Sequence, residues 1–275
     1  MKKALYIWVL FLVMVKTVTA LAQPKPDILL DNLSRASALA ISPNSELFIV
    51  EAGKNRIIKY DLDGNLLDTF GGRGSGDSQF DNPGSIDVTN GLKLFVTDVG
   101  NKRIQIFDNR YQFIGSYSSL LIPKYRFDPS FISVDEFGNL FTYLRSDHLI
   151  IRFGISGRPD VEIGPLQNYG IEKVSGFISF KDQIIVIDSQ QGILFRFSKE
   201  GEFLNFISGY PEIQAISSDQ NYIYLVNRNT VFIVDPHGKL AKEIPLLPSS
   251  FTGISIWKGM IYLLTESRLI RYRLS

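Results

Sequence analysis

Apolar runs of four residues recur from Leu39 to the end of the chain, separated by polar stretches rich in glycine, asparagine and aspartate. One apolar marker in the first run of each unit gives Leu39, Ile86, Ile132, Ile178, Ile216 and Ile254, spaced by 47, 46, 46, 38 and 38 residues. A second run follows each marker: 47–50, 94–97, 140–143, 184–187, 223–226 and 261–264. A third occupies 57–60, 104–107, 150–153, 194–197, 231–234 and 269–272. The runs are β-branched and aromatic and show no helical periodicity, so each reads as a strand. Asp63-Gly64, Asn90-Gly91, Gly138-Asn139, Glu200-Gly201 and His237-Gly238 supply the tight reversals between them. Repeats of this length and content predict an all-β, six-bladed β-propeller with four-stranded antiparallel blades.

The last unit stops at Leu274-Ser275, directly after its third run, and lacks an outer strand. Asp27-Ile28-Leu29-Leu30 precedes the first unit and has no other place in the pattern. Pairing it with Ile270–Arg273 would close the ring and remove an open sheet edge. The amino-terminal strand is therefore predicted to complete the last blade.

Met1–Ala22 carries Lys2 and Lys3, an apolar run from Ala4 to Val15, and small residues around Ala20-Leu21-Ala22. That order predicts a signal peptide over 1–22, followed by the propeller over 23–275 and a secreted or periplasmic location. The apolar run is shorter than the ~20 residues a membrane span needs. The alternative is retention as an anchor; after cleavage no membrane association is expected. There is no cysteine, so stability must come from the core alone. The net charge is +1, and −2 once the three leader lysines are removed. No basic footprint for nucleic acid results, and nucleic acid is not an expected partner.

The segment Phe70–Phe107 joins a Gly-rich loop ending Gln79-Phe80-Asp81-Asn82-Pro83, a strand ending Val96-Thr97-Asp98, and Gly100-Asn101-Lys102-Arg103-Ile104. It resembles the NHL repeat, one blade of a propeller, of a secreted bacterial type. Glu51, Gly53, Asn55, Arg56 and Ile57 nearly repeat the motif one unit earlier; later units lose it. The resemblance implies that Glu51 with Arg56, and Asp98 with Arg103, brace their loops and are structural.

Candidate chemistry is sparse. Gly71–Gly76 lacks the following helix that a phosphate cradle needs, and reads as an inter-blade loop. Asp61–Asn65 lacks the spacing and closing glutamate of a calcium loop, and reads as a turn. A resemblance to the zinc-dependent amidating lyases of six-bladed type would require three histidines. The chain has only His148 and His237, and the strand order places them at opposite ends of the ring. In the gluconolactonase-like propellers an acid- and asparagine-bound ion sits at the channel mouth. The corresponding set read from the inner strands is Ala40, Asp87, Ser133, Ser179, Ser217 and Ser255, with Asp87 the only metal candidate. Catalytic residues, metals and cofactors are therefore expected to be none, and any serine nucleophile lacks a base.

The second-to-third strand loops and the inter-blade loops share one face. It is predicted to present Arg73, Lys102, Tyr125, Arg126, Arg145, His148, Tyr169, Tyr210 and Arg228 as ligand-binding residues. The expected function is an extracytoplasmic, non-catalytic binding or scaffold propeller for a protein, peptide or glycan. The alternative is a metal-dependent lactonase or lyase.

Overall fold

The first strand among the described residues belongs to the last blade. A computed structural model describes residues 25–154 and 156–274; the predicted leader lies outside them. Strand β1 (Asp27–Leu30) pairs antiparallel with β24 (Leu269–Arg273), the third strand of the sixth sheet. Asp27 faces Arg271, Ile28 faces Ile270, and Leu30 faces Leu269 across a bulge. Arg271 fastens the seam, donating to Asp27 at 2.8 Å, Asp63 at 3.0 Å and the Leu62 carbonyl at 3.0 Å. The predicted closure is present.

The other strands run through six four-stranded sheets in chain order. Blade 1 is β2 (Ala36–Ile41), β3 (Leu47–Glu51), β4 (Arg56–Tyr60) and β5 (Leu66–Gly71). Blade 2 is β6 (Pro83–Asp87), β7 (Lys93–Asp98), β8 (Arg103–Asp108) and β9 (Phe113–Ser118). Blade 3 is β10 (Pro129–Val134), β11 (Leu140–Leu144), β12 (Leu149–Phe153) and β13 (Pro159–Ile163). Blade 4 is β14 (Val174–Phe180), β15 (Gln183–Asp188), β16 (Ile193–Ser198) and β17 (Phe203–Ser208). Blade 5 is β18 (Ala215–Ser218), β19 (Ile223–Val226), β20 (Thr230–Val234) and β21 (Leu240–Pro245). Blade 6 is β22 (Phe251–Trp257), β23 (Met260–Thr265), β24 and β1.

The core lies between blades. Phe48, Val50 and Ile57 of blade 1 pack against Phe80, Ile86, Leu94 and Phe107 of blade 2. Each second strand is covered on both faces, and β3, β11 and β19 are buried along their whole length. This explains why those strands read as continuous apolar runs rather than alternating ones.

Blade 4 corrects the expected register by one residue. Leu39 pairs with Ile49 and Ile86 with Val96, each two residues before the acid that ends its second strand. In blade 4 the residue facing Val186, two before Asp188, is Phe177 rather than Ile178. Ile178 therefore takes the place assigned to Ser179 in the ring with Ala40, Asp87, Ser133, Ser217 and Ser255. Phe177 and Ile178 are both apolar, so the pattern alone did not choose between them, and a one-residue slip exchanges the two faces.

Candidate functional site

The six inner strands surround a central cavity of about 1760 Å³. Their side chains step from one blade to the next. Ser37 Oγ donates to the carbonyls of Pro83 at 3.2 Å and Gly84 at 2.9 Å. The Val134 N–H donates to Asp87 Oδ2 at 2.9 Å, and one blade on the Ser179 N–H donates to Ser133 Oγ at 2.9 Å. Val134 and Ser179 are equivalent in the corrected register, as are Asp87 and Ser133. Asp87 thus performs in blade 2 what a serine performs in blade 3.

The second oxygen of Asp87 accepts the Thr89 N–H at 2.8 Å. Burial raises its carboxyl above the ordinary aspartate range, with the N–H groups of Thr89 and Val134 opposing the rise. Among the described residues no three His, Cys, Asp or Glu side chains gather as a metal-binding group. Asp87→Ala is expected to cost about 1–3 kcal/mol, since two N–H groups lose their acceptor. Asp87→Ser should recover part of that loss in thermal melts. Equal melts for the two variants would contradict the latch.

At the face carrying the predicted recognition loops, the ends of the second strands hold buried acids. Asp98 is fully buried; its oxygens accept from the Asp81 N–H at 2.7 Å, Asn101 and Arg103 Nε at 2.8 Å, and Gln105 at 3.2 Å. Arg103 also reaches the Gly76 and Gln79 carbonyls, tying the Gly-rich loop to its blade. That loop folds on itself through Gly74 N–H to Phe80 carbonyl and Phe80 N–H to Gly72 carbonyl. Glu51 accepts from the Ser34 N–H at 2.8 Å and Arg56 Nε at 2.5 Å. Asp188 does the same in blade 4, with backbone donors Glu172, Lys173, Gln190 and Gln191, a role its sequence context did not disclose.

Burial pushes the Glu51 and Asp188 carboxyls upward. Their donors outweigh it, Arg56 and the Ser34 N–H for Glu51, and the Glu172 N–H and Gln191 for Asp188, so both lie below the ordinary range. A folded-state pKa below the unfolded value stabilises above the unfolded pKa and is lost as pH falls through the folded one. Glu51→Gln should therefore be less stable than the parent at pH 7, and the difference should shrink as urea titrations move to pH 3. A gap that widens towards acid would contradict this.

Residues 80–107, which include Asp98, Arg103 and the strand bearing Asp87, match the NHL repeat. The chain carries an NHL repeat. NHL repeat-containing protein 3 of Homo sapiens is 26% identical over 151 residues, 54% of this chain and 41% of that protein. The chain therefore matches less than half the length of that relative. Among solved structures, virginiamycin B lyase from Staphylococcus aureus superposes with a TM-score of 0.66 at 13% identity, covering 91% of this chain and 99% of that one. The WD40 repeats of RRP9 superpose with a TM-score of 0.67 at 10% identity, over 91% and 99%. At such identities the likeness is one of fold. One of these neighbours is an enzyme and the other is not named as one.

Of the nine predicted ligand-binding residues, Arg73, Lys102, Arg126, Arg145 and Arg228 are exposed. His148 is half-buried with Nδ1 3.3 Å from the Tyr143 hydroxyl, and Tyr169 is half-buried against Phe197 and Phe203. Tyr125 and Tyr210 are corrections: both are buried rather than displayed. Their rings fill the spaces between blades, and their hydroxyls bond Glu162 at 2.7 Å and the Gly238 carbonyl at 3.2 Å. A loop aromatic finds more apolar area by folding inward than by facing water. Arg126 is held by Asp147 at 2.6 Å. Arg145 alone of the nine lines the central cavity, where Arg35, Asn82 and Glu266, all absent from the predicted set, join it.

Proposed function

We propose that the chain is an extracytoplasmic, non-catalytic binding propeller that recognises a protein, peptide or glycan through the face bearing its second-to-third strand and inter-blade loops. The observation that carries this reading is the engagement of Asp87. It is the one carboxylate on the six inner strands, and backbone N–H groups take both its oxygens. Of the exposed basic residues predicted on the loop face, Arg73, Lys102, Arg145 and Arg228 make no ion pair among the described residues, whereas Arg126 is held by Asp147. The NHL repeat and the likeness to WD40 repeats support recognition, since such rings present broad rigid surfaces. Fold likeness to virginiamycin B lyase raises the competing reading of a metal-dependent lyase or lactonase.

Turnover distinguishes the two. Incubation with virginiamycin B and with simple lactones, with magnesium, calcium, zinc or manganese, is expected to give no product. The same ions are expected to leave the melt unchanged, whereas a specific ion at 100 times its dissociation constant would add roughly 2.7 kcal/mol. Chelator-sensitive product formation, lost in Asp87→Ala, would replace the binding reading with the enzymatic one.

A further inference from the structure

One mouth of the central cavity is lined by Arg35 of blade 1, Asn82 at the entry to blade 2, Arg145 of blade 3 and Glu266 of blade 6. Arg35 sits at φ +46°, the left-handed region, which a non-glycine residue occupies at a cost. Its Nη2 donates to Asn82 Oδ1 at 2.8 Å. Asn82 is itself left-handed, at φ +52°, and its N–H is held by Asn55 Oδ1 at 2.7 Å. The guanidinium is thus aimed through a single bond, leaving the rest of its five N–H donors unengaged. Arg145 is exposed at the same mouth, and among the described residues no carboxylate pairs with either arginine.

Beside Arg145 on the cavity wall, Ser130 is 7% exposed and its Oγ has no hydrogen-bond partner. Its counterpart Ser37 bonds the carbonyls of the following blade. Its blade 4 counterpart Ser175 and Ser179 are likewise unpartnered on the cavity wall, and of the three Ser130 is the one next to Arg145 of blade 3, where its hydroxyl can accept or donate to a bound group.

We propose that this mouth binds a carboxylate, carried by a ligand whose body lies across the loop face, with Arg35 and Arg145 as its donors and the Ser130 hydroxyl completing the site. Planar guanidinium groups match carboxylate geometry and give charge-assisted bonds stronger than neutral ones. Glu266 lines this mouth and Asp128 lies next to Arg145, so the two guanidinium groups leave no large positive excess, which suits a monoanion better than a phosphate dianion. The inference rests on the recognition reading and adds the chemistry of the ligand to it.

The test follows the arginine Nε–H resonances of the full chain by NMR. The probes are N-acetylglycylglycine as free acid and as amide, glucuronate, glucose, and inorganic phosphate. The acid, the glucuronate or both should shift the Arg35 and Arg145 signals and saturate about tenfold more tightly than the neutral counterpart. The carboxylate that saturates identifies the source, a peptide end or an acidic sugar. Arg145→Gln, at an exposed side chain without an ion pair, should abolish the effect, Glu266→Gln should tighten it, and Lys239→Gln in a turn at the opposite end should leave it unchanged. Equal response to acid and amide, tighter binding of phosphate, or full binding by Arg145→Gln would overturn the proposal. Capture of neutral glycans or amidated peptides without carboxylate selectivity would also overturn it, while leaving the recognition reading intact.

Discussion

Asp98→Ala is expected to be the most damaging single substitution in the protein, lowering stability by about 3–5 kcal/mol. The carboxylate is fully buried and accepts from four separate groups, one of them the Arg103 guanidinium. Alanine would leave Arg103, Asn101 and Gln105 without that acceptor inside a covered loop, and the Asp81 N–H without a partner. In a chain of this size the loss corresponds to a fall of roughly 6–20 °C in melting temperature. Arg103→Ala should follow with a smaller loss, because Asp98 keeps its other donors. If Asp98→Ala melted with the parent while ligand binding disappeared, the acid would belong to recognition instead of to the scaffold.

Deletion of residues 25–31 should open the ring. Leu29 and Leu30 pack against the blade 6–blade 1 cluster with Leu39, Leu62 and Trp257, and Asp27 holds Arg271. Losing two partly buried leucines and a short hydrogen-bonded ladder amounts to about 5 kcal/mol. It also leaves β24 as an unpaired edge, open to pairing between molecules. Calorimetry is expected to show a melt at least ~10 °C lower, with association visible by light scattering. A truncated chain that melted within a degree of the parent and stayed monomeric would show that β1 is dispensable.

The ring was readable because the second and third strands are largely covered on both faces and so appear as unbroken apolar runs. The pairing of β1 with β24 was readable by the same logic, since a blade with three strands leaves an edge to be filled. The register of blade 4 was not, because Phe177 and Ile178 are equally apolar and the decisive marker is Asp188, at the far end of the partner strand. The site was less legible still. Arg35, Asn82, Arg145 and Glu266 come from four blades and share no local motif; only closure of the ring brings them to one mouth. Tyr125 and Tyr210 misled because a loop tyrosine carries the same sequence signal whether it faces a partner or plugs the space between blades.

Recognition of a ligand by one face of the ring is tested most directly by peptide and glycan arrays. They would be probed with the parent, with an Arg35→Gln/Arg145→Gln double variant, and with a Lys239→Gln/Lys258→Gln pair from turns at the opposite end. Binding that is lost in the first variant and kept in the second is the predicted result; binding lost only in the second, or equally in both, would contradict it.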